Sequence, residues 1–220
     1  NTVYNSSAGF YADGIIDDSS GDIQSGTPAT YILNKVYDAG LLSVGFHTES
    51  GSIYTSNIVY NSSGSCFSVV SVETPDVGGS GSTYVNNTAM NCTDYGFDME
   101  VTDLTMTNNT AHDSSYGFYF STSGNTEGET LTNNTAYDNT NDGFYLDDTN
   151  NNVLTDNTAY DNGGYGFTLA GVSSSGNQLD NNLAYENGNT GIYVDSANGI
   201  GGSYSYSNQG DGIRITGIVD

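Results

Sequence analysis

Positive charge is nearly absent from this sequence. Lysine and arginine together number 2 against 26 aspartates and glutamates, a formal net charge of −24. A surface of that sign repels nucleic acid phosphate and anionic lipid, which excludes both as partners. It suits divalent cations or basic partners, and it equally serves solubility or a salty exterior. Long apolar runs are missing too, since no stretch approaches the ~20 residues of a membrane helix. No signal-peptide pattern stands at Asn1, so the chain reads as a mature form or a fragment. With only 2 cysteines, a disulfide-dense scaffold and a four-cysteine zinc site are excluded. No Gly-x-Ser-x-Gly, phosphate loop or dinucleotide fingerprint occurs.

What is present is repetition. Asn134-Thr135-Ala136-Tyr137-Asp138-Asn139 returns as Asn157-Thr158-Ala159-Tyr160-Asp161-Asn162 and as Asn182-Leu183-Ala184-Tyr185-Glu186-Asn187. With the central alanine as anchor, the equivalents are Val3, Val36, Val59, Ala89, Ala111, Ala136, Ala159, Ala184 and Ser205. From Ala89 onward they recur every 21 to 25 residues, and before it the steps are uneven, 33, 23 and 30. Two residues before the anchors stand Asn1, Asn34, Asn57, Asn87, Asn109, Asn134, Asn157, Asn182 and Ser203. After them come Phe10, Phe46, Phe67, Phe97, Phe118, Phe144, Phe167, Ile192 and Ile213.

Each unit thus holds three short apolar stretches, two of them alternating, separated by Asn, Gly, Asp and Ser. Alternation specifies strands, and no helical period of useful length appears. A period of this size with three strands per unit is a parallel β-solenoid. The expected fold is all-β, with about nine three-strand rungs of roughly 21–33 residues. At ~4.8 Å per rung the rod is on the order of 40 Å long. Like stacks on like, so the phenylalanines form an aromatic column and the asparagines a hydrogen-bonded ladder. The glycine before each phenylalanine marks a place of positive φ or of close packing. Residues 1–220 read as a single domain, irregular over 1–85 and regular over 86–220, with surface excursions near 17–30 and at Gly78–Ser82.

The run Asn-Asn-Thr-Ala-x-x-Asn-x-x-x-Gly-Phe-x-Leu, clearest at 133–146 and 156–169, resembles the Asn-rich right-handed parallel β-helix repeat. That repeat occurs in periplasmic copper-assembly β-helix proteins, in carbohydrate-binding and sugar-hydrolase domains, and in archaeal surface proteins. The resemblance implies right-handed coiling. It leaves activity open, because the family holds lyases, glycosidases and epimerases as well as inert rods.

Candidate chemistry is thin. Two residues after the anchors stand Asp38, Asp113, Asp138, Asp161 and Glu186. Rung spacing would bring neighbours near the ~5 Å separation of a retaining glycosidase, which makes Asp138 and Asp161 the catalytic alternative. Every member has the same neighbours, however, so a solvated column is the plainer reading, with weak calcium binding at Asp113, Asp138, Asp161 and Glu186 as its only role. No other cofactor is implied. Lys35 and Arg214 lie near opposite ends, and His47 and His112 have no partner at ligand spacing. The residue after each anchor makes a stripe that includes Tyr137, Tyr160, Tyr185 and Tyr206, open to lateral contact with protein or sugar. Asn-x-Ser/Thr triplets at Asn5, Asn61, Asn86, Asn91, Asn108 and Asn133 are glycosylation candidates. Cys66 and Cys92 fall in successive rungs and suit a disulfide in an extracellular setting, an intermolecular bond being the alternative.

Neither end carries an amphipathic helix or charged plug, which points either to a piece of a longer solenoid or to coverage by another copy. The leading expectation is therefore a structural protein of an extracellular or archaeal cell surface, self-associating end to end into a filament, hoop, sheath or surface layer, without enzymatic activity. The alternative is a carbohydrate-binding or polysaccharide-degrading β-helix domain, marked by a groove where carboxylates converge beside His47, His112 or Arg214.

Overall fold

The structure, a computed structural model, describes residues 2–4, 10–11, 30–37, 46–47, 51–69, 81–121, 127–171, 174–195 and 198–216. The side chains of 2–4, 10–11, 46–47 and 69 are not among them, so Asp38, His47 and Asn5 lie outside the described side chains. The strands sort into three all-parallel sheets of nine, nine and eight members, visited in strict rotation. Sheet A contains the Thr-Ala-Tyr strands, for example Thr135–Tyr137. Sheet B contains the strands that begin at the phenylalanines, such as Phe144–Asp147. Sheet C contains the strands that precede each asparagine, such as Thr130–Thr132. Among the described residues eight circuits are followed by the A and B strands of a ninth, so the third sheet has one strand fewer. Among the described residues there is no helix, and so none long and apolar enough to cross a membrane.

Register pairs like with like. Ala89, Ala111, Ala136, Ala159 and Ala184 are aligned across sheet A, flanked by Thr88, Thr110, Thr135 and Thr158 on one side. In Thr135–Tyr137, Thr158–Tyr160 and Leu183–Tyr185 the middle side chain is buried and the outer two face away, the period of 2 that the sequence displays. Sheet B points Phe67, Phe97, Phe118, Phe144 and Phe167 inward, stacked at 4.7 Å between neighbouring centroids. That distance is the strand spacing itself, so the column packs without any side chain leaving its rung. Sheet C contributes Tyr31, Tyr54 and Tyr84, also stacked, and then Met106, Leu131, Leu154 and Leu179.

The corners explain the asparagines. After the C strand the chain places one residue at positive φ, Asn86, Asn108, Asn133, Asp156 or Asn181, and then turns an asparagine inward. After the A strand the positive-φ residue is Asn61, Asn91, Asp113, Asp138, Asp161 or Glu186, and the inward residue after it is Ser62, Cys92 or Ser114 and then Asn139, Asn162 or Asn187. Asn and Asp tolerate the left-handed region better than other residues with a Cβ. The inward asparagines form ladders. Asn134 Nδ2 donates to Asn157 Oδ1 at 3.0 Å and to the Met106 carbonyl at 2.9 Å, while Asn134 Oδ1 accepts from the Asn109 backbone N–H at 2.8 Å. A second ladder runs through Ser114, Asn139, Asn162, Asn187 and Asn208. A third joins Glu129, Asn152, Asn177 and Asn198. Without these bonds each corner would bury unpaired amides at about 1–3 kcal/mol apiece.

The glycines before Phe97, Phe118, Phe144 and Phe167 are there for close approach, not for positive φ. A Cβ on Gly143 would lie 2.8 Å from the Gly166 carbonyl oxygen, 2.9 Å from Asn162 Nδ2 and 3.0 Å from Ala159 Cβ. Cys66 and Cys92 form a disulfide with a Cα–Cα distance of 5.7 Å, pinning two successive circuits together.

Candidate functional site

The acidic column of sheet A is scaffold geometry first. Asp113, Asp138, Asp161 and Glu186 are exposed and occupy the positive-φ corner. Asp and Asn tolerate that backbone, and Asp138 and Asp161 stand at equivalent corners of successive circuits. Nor is any group of three or more His, Cys, Asp or Glu among the described residues placed to hold a metal. His112 Nδ1 lies 2.8 Å from Asp113 Oδ2. Lys35 and Arg214 are exposed on different sheets. The sequon residues Asn86, Asn91, Asn108 and Asn133 are exposed, and Asn61 is half-buried.

The tyrosine stripe faces outward but is closed upon itself. His112, Tyr137, Tyr160, Tyr185 and Tyr206 form one parallel stack, with centroids 4.6 to 5.1 Å apart. Each interior ring has a neighbour on both faces. The interior rings offer edges, and Tyr206 at the end of the stack is 51% exposed.

Sheet B differs. Its outward positions fall in two adjacent columns that do not repeat. One runs Ser68, Asp98, Tyr119, Tyr145, Thr168, Tyr193, Arg214. The other, two residues before each inward apolar residue, runs Ser65, Tyr95, Tyr116, Asp142, Tyr165. Tyr119 is stacked between Tyr95 at 4.3 Å and Tyr145 at 5.5 Å, and Tyr116 stands 5.7 to 5.9 Å from all three at an angle. Tyr95 and Tyr145, at the ends of this three-ring slab, each keep one face that no other aromatic ring covers among the described residues. All four rings are half-buried.

Two carboxyl groups border the slab, and they differ. Asp142 has both oxygens engaged, Oδ1 by the Tyr165 N–H at 2.8 Å and Oδ2 by the Thr168 hydroxyl at 2.8 Å. It ties one circuit to the next. Asp98 is outward by strand parity yet only 8% exposed. Its Oδ2 accepts from the Ser65 and Ser68 hydroxyls at 3.2 and 3.5 Å, and its Oδ1 is buried without a partner. Burial, reinforced by Glu100, pushes the Asp98 carboxyl up to about 7. Burial also raises the Tyr95 phenol to about 12, with Tyr119 and Asp98 adding to it. Desolvation and then Asp147 do the same for Tyr145, again to about 12. Every one of these shifts has the same origin: a part-desolvated face carrying negative charge and no cation.

A third acid is internal. Glu129 takes a place in the third ladder, wholly buried, with neither carboxylate oxygen partnered; Thr149 Oγ1 and Asn152 Nδ2, in the next circuit, are likewise unpartnered. Burial pushes its carboxyl up to about 8, with Asp103 and Glu127 adding to it. Asp98, Asp142 and Glu129 are absent from the candidates drawn from the sequence. The one signal that could have found a member of this set was Asp98 between the inward Phe97 and Met99, in register with tyrosines.

Residues 77–210, more than half of the chain, match the family described as right handed beta helix region. The chain belongs to that family. This right-handed β-helix matches no curated protein in sequence. Among solved structures it is similar to PfbA, a surface adhesin of Streptococcus pneumoniae, at 11% identity and a TM-score of 0.55, over 82% of this chain and 54% of that one. It is similar also to the Dettilon tailspike protein, at 18% identity and a TM-score of 0.50, over 89% and 44% respectively. The A-module of the mannuronan C-5 epimerase AlgE4 of Azotobacter vinelandii is matched at 21% identity and a TM-score of 0.46, over 98% and 59%. The chain spans about half the length of these structures, and the likeness is one of fold.

Proposed function

We propose that this β-helix is a glycan-binding rod of a cell surface or envelope, binding through the outer face of sheet B. The observation that carries the reading is the break in repetition on that face. In a stacked solenoid, columns that serve packing are uniform, as the phenylalanines and asparagines are. Outward columns are free to vary, and here they gather four tyrosines beside a half-satisfied carboxyl. Aromatic faces with a few fixed polar groups are what a sugar ring requires. The disulfide supports an oxidising, extracytoplasmic setting, and the fold is shared with a surface adhesin and a tailspike. Binding is favoured over cleavage by Asp142, whose two oxygens are both held by hydrogen bonds between circuits and so serve structure.

The test is a glycan array followed by titration calorimetry. Tyr145→Ala and Tyr95→Ala should each weaken binding of the best ligand at least tenfold, and Tyr160→Ala in the closed stack of sheet A should leave it unchanged. Equal losses from all three, or no ligand for the folded wild type, would sink the reading.

Axial self-association is the second reading. In the ninth circuit the inner columns are open, with Ile213 at 41% and Ile215 at 48% exposed. A further rung, from the same chain or from another, would cover them.

A further inference from the structure

The face of sheet B lacks one thing that its chemistry calls for. Asp98 is buried on a floor with Ser65 and Ser68, and both hydroxyls serve only its Oδ2. Oδ1 is left facing no donor. Asp94, Asp142 and Asp147 stand around the same rings. The chain has two cations in all, and Lys35 lies on sheet A while Arg214 lies three rungs beyond Tyr145. The slab is oriented to match. Because Tyr95 spends one face on Tyr119 in the next rung, its other face looks back toward the rung that supplies Ser65 and Ser68. An aromatic face beside a carboxylate attracts an ammonium group through the ring quadrupole as well as through charge. Anions are disfavoured here for the same reason, so a polyuronate is a poor ligand.

We propose that the glycan taken by this face bears a free, protonated amino group, an amino sugar, and that the amine docks between Asp98 and the open face of Tyr95. The inference rests on the glycan-binding reading and adds the ligand class. Binding of a fixed-charge cation should strengthen as pH rises through about 7, because the Asp98 carboxyl, raised by burial, becomes a full carboxylate only above that value.

The experiment is calorimetry of the intact, disulfide-bonded chain with four probes: a glucosamine oligomer, its N-acetylated counterpart, a polyuronate oligomer, and tetramethylammonium. The glucosamine oligomer is expected to bind at least tenfold tighter than the N-acetylated one, and the polyuronate not at all. Asp98→Asn keeps the shape of the site and should abolish that preference while retaining the weaker affinity. Asp161→Asn makes the same charge change on sheet A and should leave the preference intact, which separates a site from bulk attraction to an acidic rod. Equal affinity for the two oligomers, or equal loss with Asp98→Asn and Asp161→Asn, overturns the amine inference while glycan binding stands. Binding of tetramethylammonium that depends on Asp98, with no glycan bound, overturns glycan binding and leaves the amine site standing.

Discussion

At Glu129 the column that elsewhere carries Ser52, Ser82, Leu104, Asn152, Asn177 and Asn198 takes an acid. Among the described residues the charged groups set against it are Asp103 and Glu127, both acidic. In the unfolded chain the carboxyl has its ordinary value of 4.5, and in the rod it is pushed up to about 8. The folded state therefore keeps a proton that the unfolded state has released, and stability falls as pH rises from 4.5 to about 8. A tenfold difference in proton affinity between the two states is worth ~1.4 kcal/mol. Glu129→Gln should flatten that slope and stabilise the rod at pH 8 by roughly a few kcal/mol, as read from denaturant unfolding at both ends of the window. An unchanged slope would show that the carboxyl is served by something other than its protein neighbours. Residues such as Glu129 and Asp98 were not legible as site candidates. A sequence read by columns shows a single departure as tolerance, and only burial without a partner reveals that it is not.

At the scale of the element, the three-residue strand and its corner do most of the specification. The columns, the main asparagine ladder and the inward set could be read directly, since one residue per rung maps onto one position in space. The facing of Asp138 and Asp161 could not, because it depends on a corner φ that alternation does not encode. The glycine before each phenylalanine left two explanations open, and contact distances decide between them. Gly143→Ala should cost about 1–3 kcal/mol, because its Cβ meets a backbone oxygen of the next rung that cannot yield. Gly199→Ala, whose Cβ would have only the Asn177 oxygen at 3.8 Å, should be nearly neutral. Melting temperatures of the two variants check the pair, and similar values would contradict the packing account.

For the whole molecule, a charge of −24 on a narrow rod sets the response to salt. Repulsion between exposed carboxylates is screened within ~10 Å at 0.1 M ionic strength. The melting temperature should therefore rise between low and moderate salt, and a flat or falling curve would mean that the charges are already compensated. If a second copy supplies the rung above Ile213 and Ile215, sedimentation will show association that grows with concentration and is lost in Ile215→Asp. A single monomeric species throughout would remove the axial contact. The ladders bear on that contact. Asn34, Asn57, Asn87, Asn109, Asn134 and Asn157 all donate Nδ2 toward the following rung, and from Asn57 onward each accepts at Oδ1 from the preceding one. Asn139, Asn162 and Asn187 donate the same way in the second ladder. Amide dipoles aligned head to tail add. Between Asn34 and Asn187 the side-chain amides of these ladders therefore all run the same way, carbonyl toward the earlier circuit and N–H toward the later one. A chain built almost wholly of acids and neutral residues thus still carries a direction, written in the one-way run of its inward side-chain amides.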